Sequence, residues 1–275
     1  MSKPFYLRPY WVLVSLFCTI FVIGIGGGGI RGTPVWAAEA ERSLGVHGDR
    51  NRITLAFRIN PEAVQRRLPT PWQLDPPDRG PLKGATLFVV LVDRQRDDEA
   101  EGRPGFRGAN RIVNIAVPAR HPQLGQVTSI ILGGWASNPA NVPGFYQVYR
   151  QAAIRVEQAM KGEAEAEEVT DVWEVRDATG QGGIELRLQS RRTMAARTRE
   201  RGEAWVLSAK DPNLWQRHQF DAATDVVKSV PEGIDAVQQY TFRLTAPEYR
   251  ELFDGPDQLV GIVVAPWHVR QVFTR

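Results

Sequence analysis

The chain has 275 residues, with 34 Lys and Arg against 31 Asp and Glu, for a formal charge of +3 at pH 7. That excess is carried by Lys3, Arg8 and Arg31, because no acid precedes Glu39; the rest is near neutral and lacks the basic domain of a nucleic-acid binder. The single cysteine, Cys18, lies in the same opening stretch, so the remainder can form no disulfide, thiolate nucleophile or Cys-ligated metal centre.

MSKPFYLRPY is a basic start, WVLVSLFCTIFVIGI an apolar run, and VWAAEAE brings small residues before a polar stretch. Those are the three parts of a secretory signal peptide. The expected cut lies near Ala37–Ala38, giving residues 1–37 as signal and an exported protein, periplasmic or secreted. An uncleaved anchor is the alternative, since the run approaches the roughly 20 residues that span a bilayer. Membrane contact is then through the leader only. Phe17 is too large for the residue before a lipidated cysteine. About 238 residues follow the cut, enough to bury a substantial core.

Residues 38–50 read as a polar lead-in. ITLAFRI (53–59) reads as a strand, and Asn60-Pro61-Glu62 as an N-cap, first helical position and acidic first turn of a brief helix. TLFVVLV (86–92) is a continuous apolar run suited to a strand covered on both faces. Asp93–Gly108, mixing both charge signs with Gly and Pro, reads as a solvated loop or lid. RIVNIAVPA, VTSIILGGW, VTDVWEV and GIELRLQ supply further strands. In the last, Ile184, Leu186 and Leu188 face one way and Glu185, Arg187 and Gln189 the other, the alternation of a half-buried antiparallel strand. PEYRELF (247–253) reads as a short helix and QLVGIVVAPWHVRQVF as a closing strand. Many short strands, few helices and frequent turn signals predict one mainly β domain over 51–275, a barrel or sandwich.

The chemical motifs are sparse. His47, His121, His218 and His268 have no metal-site spacing, and no metal or cofactor is expected. His268, beside Trp267 and between apolar residues, is the histidine best placed to reach a cavity. No G-x-S-x-G elbow is present. The acidic run Gly162–Glu168 and the basic run Arg191–Arg201 read as solvated surface. Beyond the leader only Lys83, Lys161, Lys210 and Lys228 remain, all but the last in turn-like contexts. Water there keeps an ammonium charged, whereas a Schiff-base lysine needs a neutral amine.

Several pieces, taken in order, resemble the acetoacetate decarboxylase family. FRIN (57–60) and LPTPW (68–72) stand where that family has its opening corner and Pro-rich segment. VNIAVPA resembles its proline-ended strand, PANVPG (139–144) its Pro-Ala-x-x-x-Gly stretch, DPNLWQR (211–217) an Asn-aromatic turn, and the closing strand its Ser-His segment. The likeness spans nearly the whole chain after the leader. It implies a curved antiparallel β-barrel around an internal pocket, with a few short flanking helices (an α+β variant of a mainly β fold), often assembled as homo-oligomers. Arg52 stands near that family's pocket arginine, though about two residues closer to Arg58. The resemblance also breaks. Counting from Gly144, Phe145 and Tyr146 replace Arg-Glu, Gln151 replaces Pro, and Ala152 and Ala153 replace the two lysines, the first of which forms the family's Schiff base. TLFVVLV has no Glu, and Ile112 replaces one before the proline-ended strand.

The resemblance therefore implies a barrel without its nucleophile, and no catalytic residue is assigned. The expected partner is a small apolar or carboxylated molecule. The candidate lining is Arg52, Asn114, Trp135, Tyr146, Tyr149, Arg150 and His268. Two alternatives stand beside it: a lyase or hydrolase with altered chemistry in that pocket, and a non-catalytic envelope protein whose barrel is solid and whose charged loop 93–108 is the contact surface.

Overall fold

The computed structural model describes residues 41–105, 109–142, 147–163, 166–211, 215–253 and 258–274. Thirteen strands among them run β1 (Arg42–Arg58), β2 (Gln73–Leu74), β3 (Leu87–Asp98), β4 (Asn110–Arg120), β5 (Val127–Ala136), β6 (Tyr149–Glu163), β7 (Ala166–Asp177), β8 (Gly183–Arg192), β9 (Thr198–Ser208), β10 (Trp215–Ser229), β11 (Ile234–Asp235), β12 (Val237–Leu244) and β13 (Gln258–Thr274). One α-helix, α1 (Pro61–Gln65), and short 3-10 turns connect them. Asn60 caps α1 as expected, its side chain accepting from the Glu62 and Ala63 amides. No helix among the described residues is long and apolar enough to cross a membrane.

The pairing closes on itself. From β5 the neighbours run β9, β10, β13, β1, β3 and β4, and β4 pairs back onto β5. Strand β5 makes this possible by serving three partners. It lies antiparallel to β4, parallel to β9 through Ser129–Ile131, and parallel to β6 through Gly134–Ala136. Gly134 sits at the point of divergence with φ 154°, and a Cβ there would fall 1.9 Å from the Val113 carbonyl oxygen. Only glycine fits that approach. The result is a seven-stranded barrel from which a second antiparallel sheet, β6-β7-β8-β12, extends.

That second sheet lies over the outside of the barrel. Ile184, Leu186 and Leu188 of β8 and Trp173 of β7 pack with Ile53, Leu55 and Phe57 of β1 and Leu87, Val89 and Leu91 of β3. Phe57 meets Phe242 of β12 at 5.3 Å between ring centroids, and Phe253 edge-on at 5.4 Å. Fully burying side chains of this size stabilises by roughly 1.5–3 kcal/mol each. The continuous apolar run of β3 now has a physical cause. Its odd residues fill the layer between barrel and sheet, while Phe88, Val90 and Val92 fill the barrel interior.

Two expected loops are strand. The polar lead-in from residue 42 onward is the first half of β1, and the charged stretch from Asp93 continues β3 to Asp98. Asp93 and Arg94 are buried there. Neither showed apolar alternation because both present charged side chains inward. The 1–37 leader and its cleavage point lie outside the described residues.

Candidate functional site

The barrel interior is open. A cavity of about 120 Å³ lies inside it, several times the space one buried water needs. Val90, Val92, Ile112, Ile131, Val206 and Val263 form an apolar floor. The other part of the wall is strongly polar, with Arg52, Arg94, Arg270, His47, His218, His268 and Glu200.

The backbone explains how so many charges face one way. In a regular strand alternate residues share a face. On β1, His47 and Asp49 face the cavity, and Arg52 and Thr54 also do, which breaks the alternation. The break falls where β1 slips against β3, between Gly48 and Asp49 and between Asp49 and Asn51. On β13, Val263 and Ala265 face in and then His268 and Arg270, with β10 slipping against it between Ala223 and Asp225. Strands β1 and β13 stay in register with each other through this kink, Asp49 opposite His268 and Arg52 opposite Ala265. Such bulges re-aim side chains at the cost of local pairing. Here they turn both pairs of each strand inward, His47/Asp49 and Arg52/Thr54 on β1 and Val263/Ala265 and His268/Arg270 on β13.

Asp49 is the hub. Its Oδ2 accepts from Arg270 Nη1 at 2.6 Å and lies 3.3 Å from His268 Nδ1 and 3.9 Å from Arg52 Nη1. Its Oδ1 is 3.6 Å from Arg94 Nε and has no hydrogen-bond partner. Burial opposes ionisation of Asp49, but Arg270, His268 and Arg94 overcome it and hold the carboxyl well below its ordinary range. A second carboxylate, Asp97, lies 3.2 Å from His47 Nε2 and 3.7 Å from Arg94. Asp97 is likewise lowered, with burial opposed by His47 and Arg94.

The histidines are neutral. Burial pushes His47 and His268 down to about 4, the arginines adding to it. Burial also takes His218 well below its ordinary value. Burial lowers Arg52 to about 10, which leaves it protonated at neutral pH. Glu200 differs from both aspartates. Its only perturbation is burial, which pushes it up to about 7, and its Oε1 is buried without a hydrogen-bond partner. Three arginines against two ionised aspartates leave the wall with a surplus of positive charge. No group of three His, Cys, Asp or Glu side chains among the described residues is arranged to hold a metal.

Of the sequence candidates, Arg52, Asn114, Tyr149 and His268 line the cavity, and Tyr149 donates to Asn114 Oδ1 at 2.5 Å. Trp135 and Arg150 do not, and that expectation is corrected. Trp135 is fully buried in the layer outside the barrel, donating from Nε1 to Asp177 at 2.9 Å. Arg150 lies over its ring and pairs with Asp177 and Glu248. The turn at Gly134 sends Trp135 to the outer layer, while Ala136 stays with the barrel interior. Ala152 likewise faces that layer and Ala153 is exposed, so neither lies in the cavity wall; Tyr149 is the β6 residue that does. Tyr146 lies outside the described residues. Among the described residues no lysine lines the cavity; Lys83, Lys161 and Lys210 are exposed, and Lys228 pairs with Asp235.

Sequence reasoning missed Asp49, Arg94, Arg270, His47, His218 and Glu200. A signal existed in three strands, as polar residues spaced by two: His47 and Asp49, Gln216 and His218, His268 and Arg270.

No protein-family model matches the chain, and no curated protein does. Solved structures do. The enduracididine biosynthesis enzyme MppR with HEPES bound is 12% identical, at a TM-score of 0.51 over 93% of this chain and 97% of that one. The same enzyme complexed with pyruvate is 11% identical, at 0.51 over 87% and 91%. An acetoacetate decarboxylase-like enzyme from Sphingomonas wittichii RW1 is 11% identical, at 0.50 over 90% and 98%. The chain thus has the acetoacetate decarboxylase-like fold, mainly β with few short helices, as its sequence led one to expect.

Proposed function

We propose that this protein is exported and binds a small carboxylate in its barrel, with Arg52 as the anion's principal partner. One observation carries the reading. The Arg52 side chain is open to the cavity, and its nearest carboxylate, Asp49 at 3.9 Å, already accepts from Arg270 at 2.6 Å. A guanidinium with unspent donors in a partly apolar cavity favours a planar anion, which it can grip through two parallel hydrogen bonds. The apolar floor suits a short carbon chain. An MppR structure holds pyruvate, an oxo acid of the size this cavity accommodates, and that class is the one we assign. Among the described residues the wall offers no lysine for a Schiff base, which supports a reading without the decarboxylase chemistry of the fold's namesake.

Titration calorimetry of the protein lacking residues 1–37, with pyruvate and 2-oxobutanoate at pH 7, tests this. Binding is expected, with Arg52→Ala weakening it about 100-fold, the scale of losing a charge-assisted pair. Pyruvamide, equal in shape but uncharged, is expected not to bind. Equal affinity for pyruvamide and pyruvate, or an Arg52→Ala protein that binds as the parent does, overturns the reading.

A further inference from the structure

We propose that the cavity is a proton-transfer site that enolises its bound oxo acid, with His268 taking a proton from carbon and Glu200 giving one to the carbonyl oxygen. This rests on the carboxylate reading above and adds a reaction to it.

The first observation is a His–Asp pair aimed at the cavity. His268 Nδ1 lies 3.3 Å from Asp49 Oδ2 and 3.4 Å from Arg270 Nη1. Asp49 can only accept and Arg270 can only donate. An unprotonated Nδ1 would set its lone pair against those of the carboxylate, so the network assigns the proton to Nδ1, donated to Asp49. That leaves the Nε2 lone pair as the ring's free acceptor. Phe220 stacks on the imidazole at 5.8 Å with 17° between planes, which fixes the ring's tilt. A neutral imidazole oriented by a buried aspartate is the arrangement a general base requires.

The second observation is where Glu200 stands. Glu200 on β9 pairs with Ala222 on β10, which pairs with His268 on β13, which pairs with Asp49 on β1. The acid and the base therefore sit in one cross-strand row, two strand spacings apart, about 10 Å between backbones. Ala222 between them lines the cavity with only a methyl group, so the gap belongs to the ligand. The wall's aspartates, Asp49 and Asp97, each have an arginine within 4 Å, whereas Glu200 has no ion pair among the described residues and keeps a buried Oε1 without a hydrogen bond. Its environment disfavours the anion, so near neutrality it retains a proton to give. An acid, a neutral base and an anion anchor thus face one space. A ligand satisfying all three has a carboxylate, a carbonyl oxygen and an adjacent acidic C–H.

The step balances without a cofactor. His268 Nε2 takes the proton from the carbon next to the carbonyl, and the C–H electron pair becomes the C=C bond. The carbonyl oxygen takes the proton of Glu200. The products are the enol with its carboxylate still ionised, a Glu200 carboxylate and a protonated His268, and the reverse step restores the oxo acid. In D2O the returned proton is a deuteron, so the substrate exchanges.

Pyruvate and 2-oxobutanoate incubated with the protein in D2O, followed by loss of the proton NMR signal at C3, give the test. Exchange well above the buffer rate is expected. It should fall about 100-fold or more in Glu200→Gln and in His268→Asn, within the range for losing an acid or a base. Binding measured by saturation transfer should change less than about threefold. An acid that binds but exchanges at the buffer rate overturns the proton-transfer reading and leaves the binding one standing. Failure of either acid to bind removes both. Exchange accompanied by a borohydride-trapped adduct also overturns it, because a lysine imine would then be responsible. Should His268→Asn not fold, the near-isosteric Glu200→Gln decides alone.

Discussion

Two buried ionic clusters sit on opposite sides of the β1 backbone: in one the central carboxylate is fully paired and only Asn51 Oδ1 lacks a partner, while in the other unpaired atoms recur on several side chains. In the layer between barrel and outer sheet, both oxygens of Asp171 are occupied. Oδ1 accepts from Asn51 at 2.9 Å and Gln158 at 2.7 Å, and Oδ2 accepts from Arg192 at 2.5 Å. Arg192 Nε in turn donates to Ser190. In the cavity, Asp49 Oδ1, Arg94 Nε and Nη1, Arg270 Nε, His47 Nδ1 and Glu200 Oε1 have no hydrogen-bond partner. Buried polar atoms are nearly always satisfied, and the exceptions call for a reason. The first cluster ties two sheets together. The second is a set of donors and acceptors arranged around space, which under the proposed function a ligand would complete.

The sharpest way to break that contrast is to remove a partner from the paired carboxylate. Arg192→Ala strands Asp171 as a buried anion, and breaking a buried pair from one side costs about 3–5 kcal/mol. Urea unfolding is expected to show a loss of that size, while carboxylate affinity of the folded protein stays within about threefold. A stability change under about 1 kcal/mol would mean that water reaches Asp171 and that the two clusters differ less than their hydrogen bonds indicate.

Acid is expected to act mainly on the cavity. The folded protein holds His47 at about 4 against an ordinary 6.5, with burial the leading cause. A histidine lowered on folding contributes stability that is present above 6.5 and lost as pH falls towards 4. Glu200, raised to about 7 from 4.5, works the other way: its contribution is present at low pH and lost as pH rises through 7. With three lowered histidines against one raised carboxyl, the histidines win below pH 6.5. Between pH 7 and 5 the stability of the parent should fall, and His47→Gln should remove about 2 kcal/mol of that fall. An unchanged slope in the variant would show that His47 gains its proton without unfolding, through solvent in the cavity.

The same contrast governs how much of this protein its sequence revealed. Where one side of a strand meets the apolar layer, alternation announces it, as in β8, where Ile184, Leu186 and Leu188 are buried and Glu185 and Arg187 exposed. Where a strand's inner face meets the charged cavity, both faces are polar and the strand looks like a loop. That hid residues 42–50 of β1 and 93–98 of β3, and with them Asp49 and Arg94. Glu200 was concealed by its neighbours, because Arg199 and Arg201 point outward to Asp221 while Glu200 turns in. Trp135 misled in the opposite sense. An aromatic after two glycines looks like a pocket wall, but Gly134 has a conformation that no pattern of side chains encodes, and it sends the ring outward. Arg52 was recoverable only through the resemblance to the acetoacetate decarboxylase family, and His268 because apolar neighbours framed it.

The smallest expected effect on stability sits at the centre of the cavity and separates space from packing. Ala222 lies between Glu200 and His268 in the cross-strand row. Enlarging a side chain in a packed core forces neighbours off their rotamers and costs about 1–3 kcal/mol. At Ala222 the added atoms enter a cavity of about 120 Å³, so Ala222→Leu should change stability by less than about 1 kcal/mol. It should nevertheless abolish measurable carboxylate binding, because the leucine occupies the place between acid and base. The control is Ala152→Leu, in the packed layer outside the barrel, where the full cost should appear and binding should survive. If both substitutions destabilise equally, the barrel interior is as tightly packed as the layer around it, and the orphaned polar atoms of the cavity have no ligand to meet.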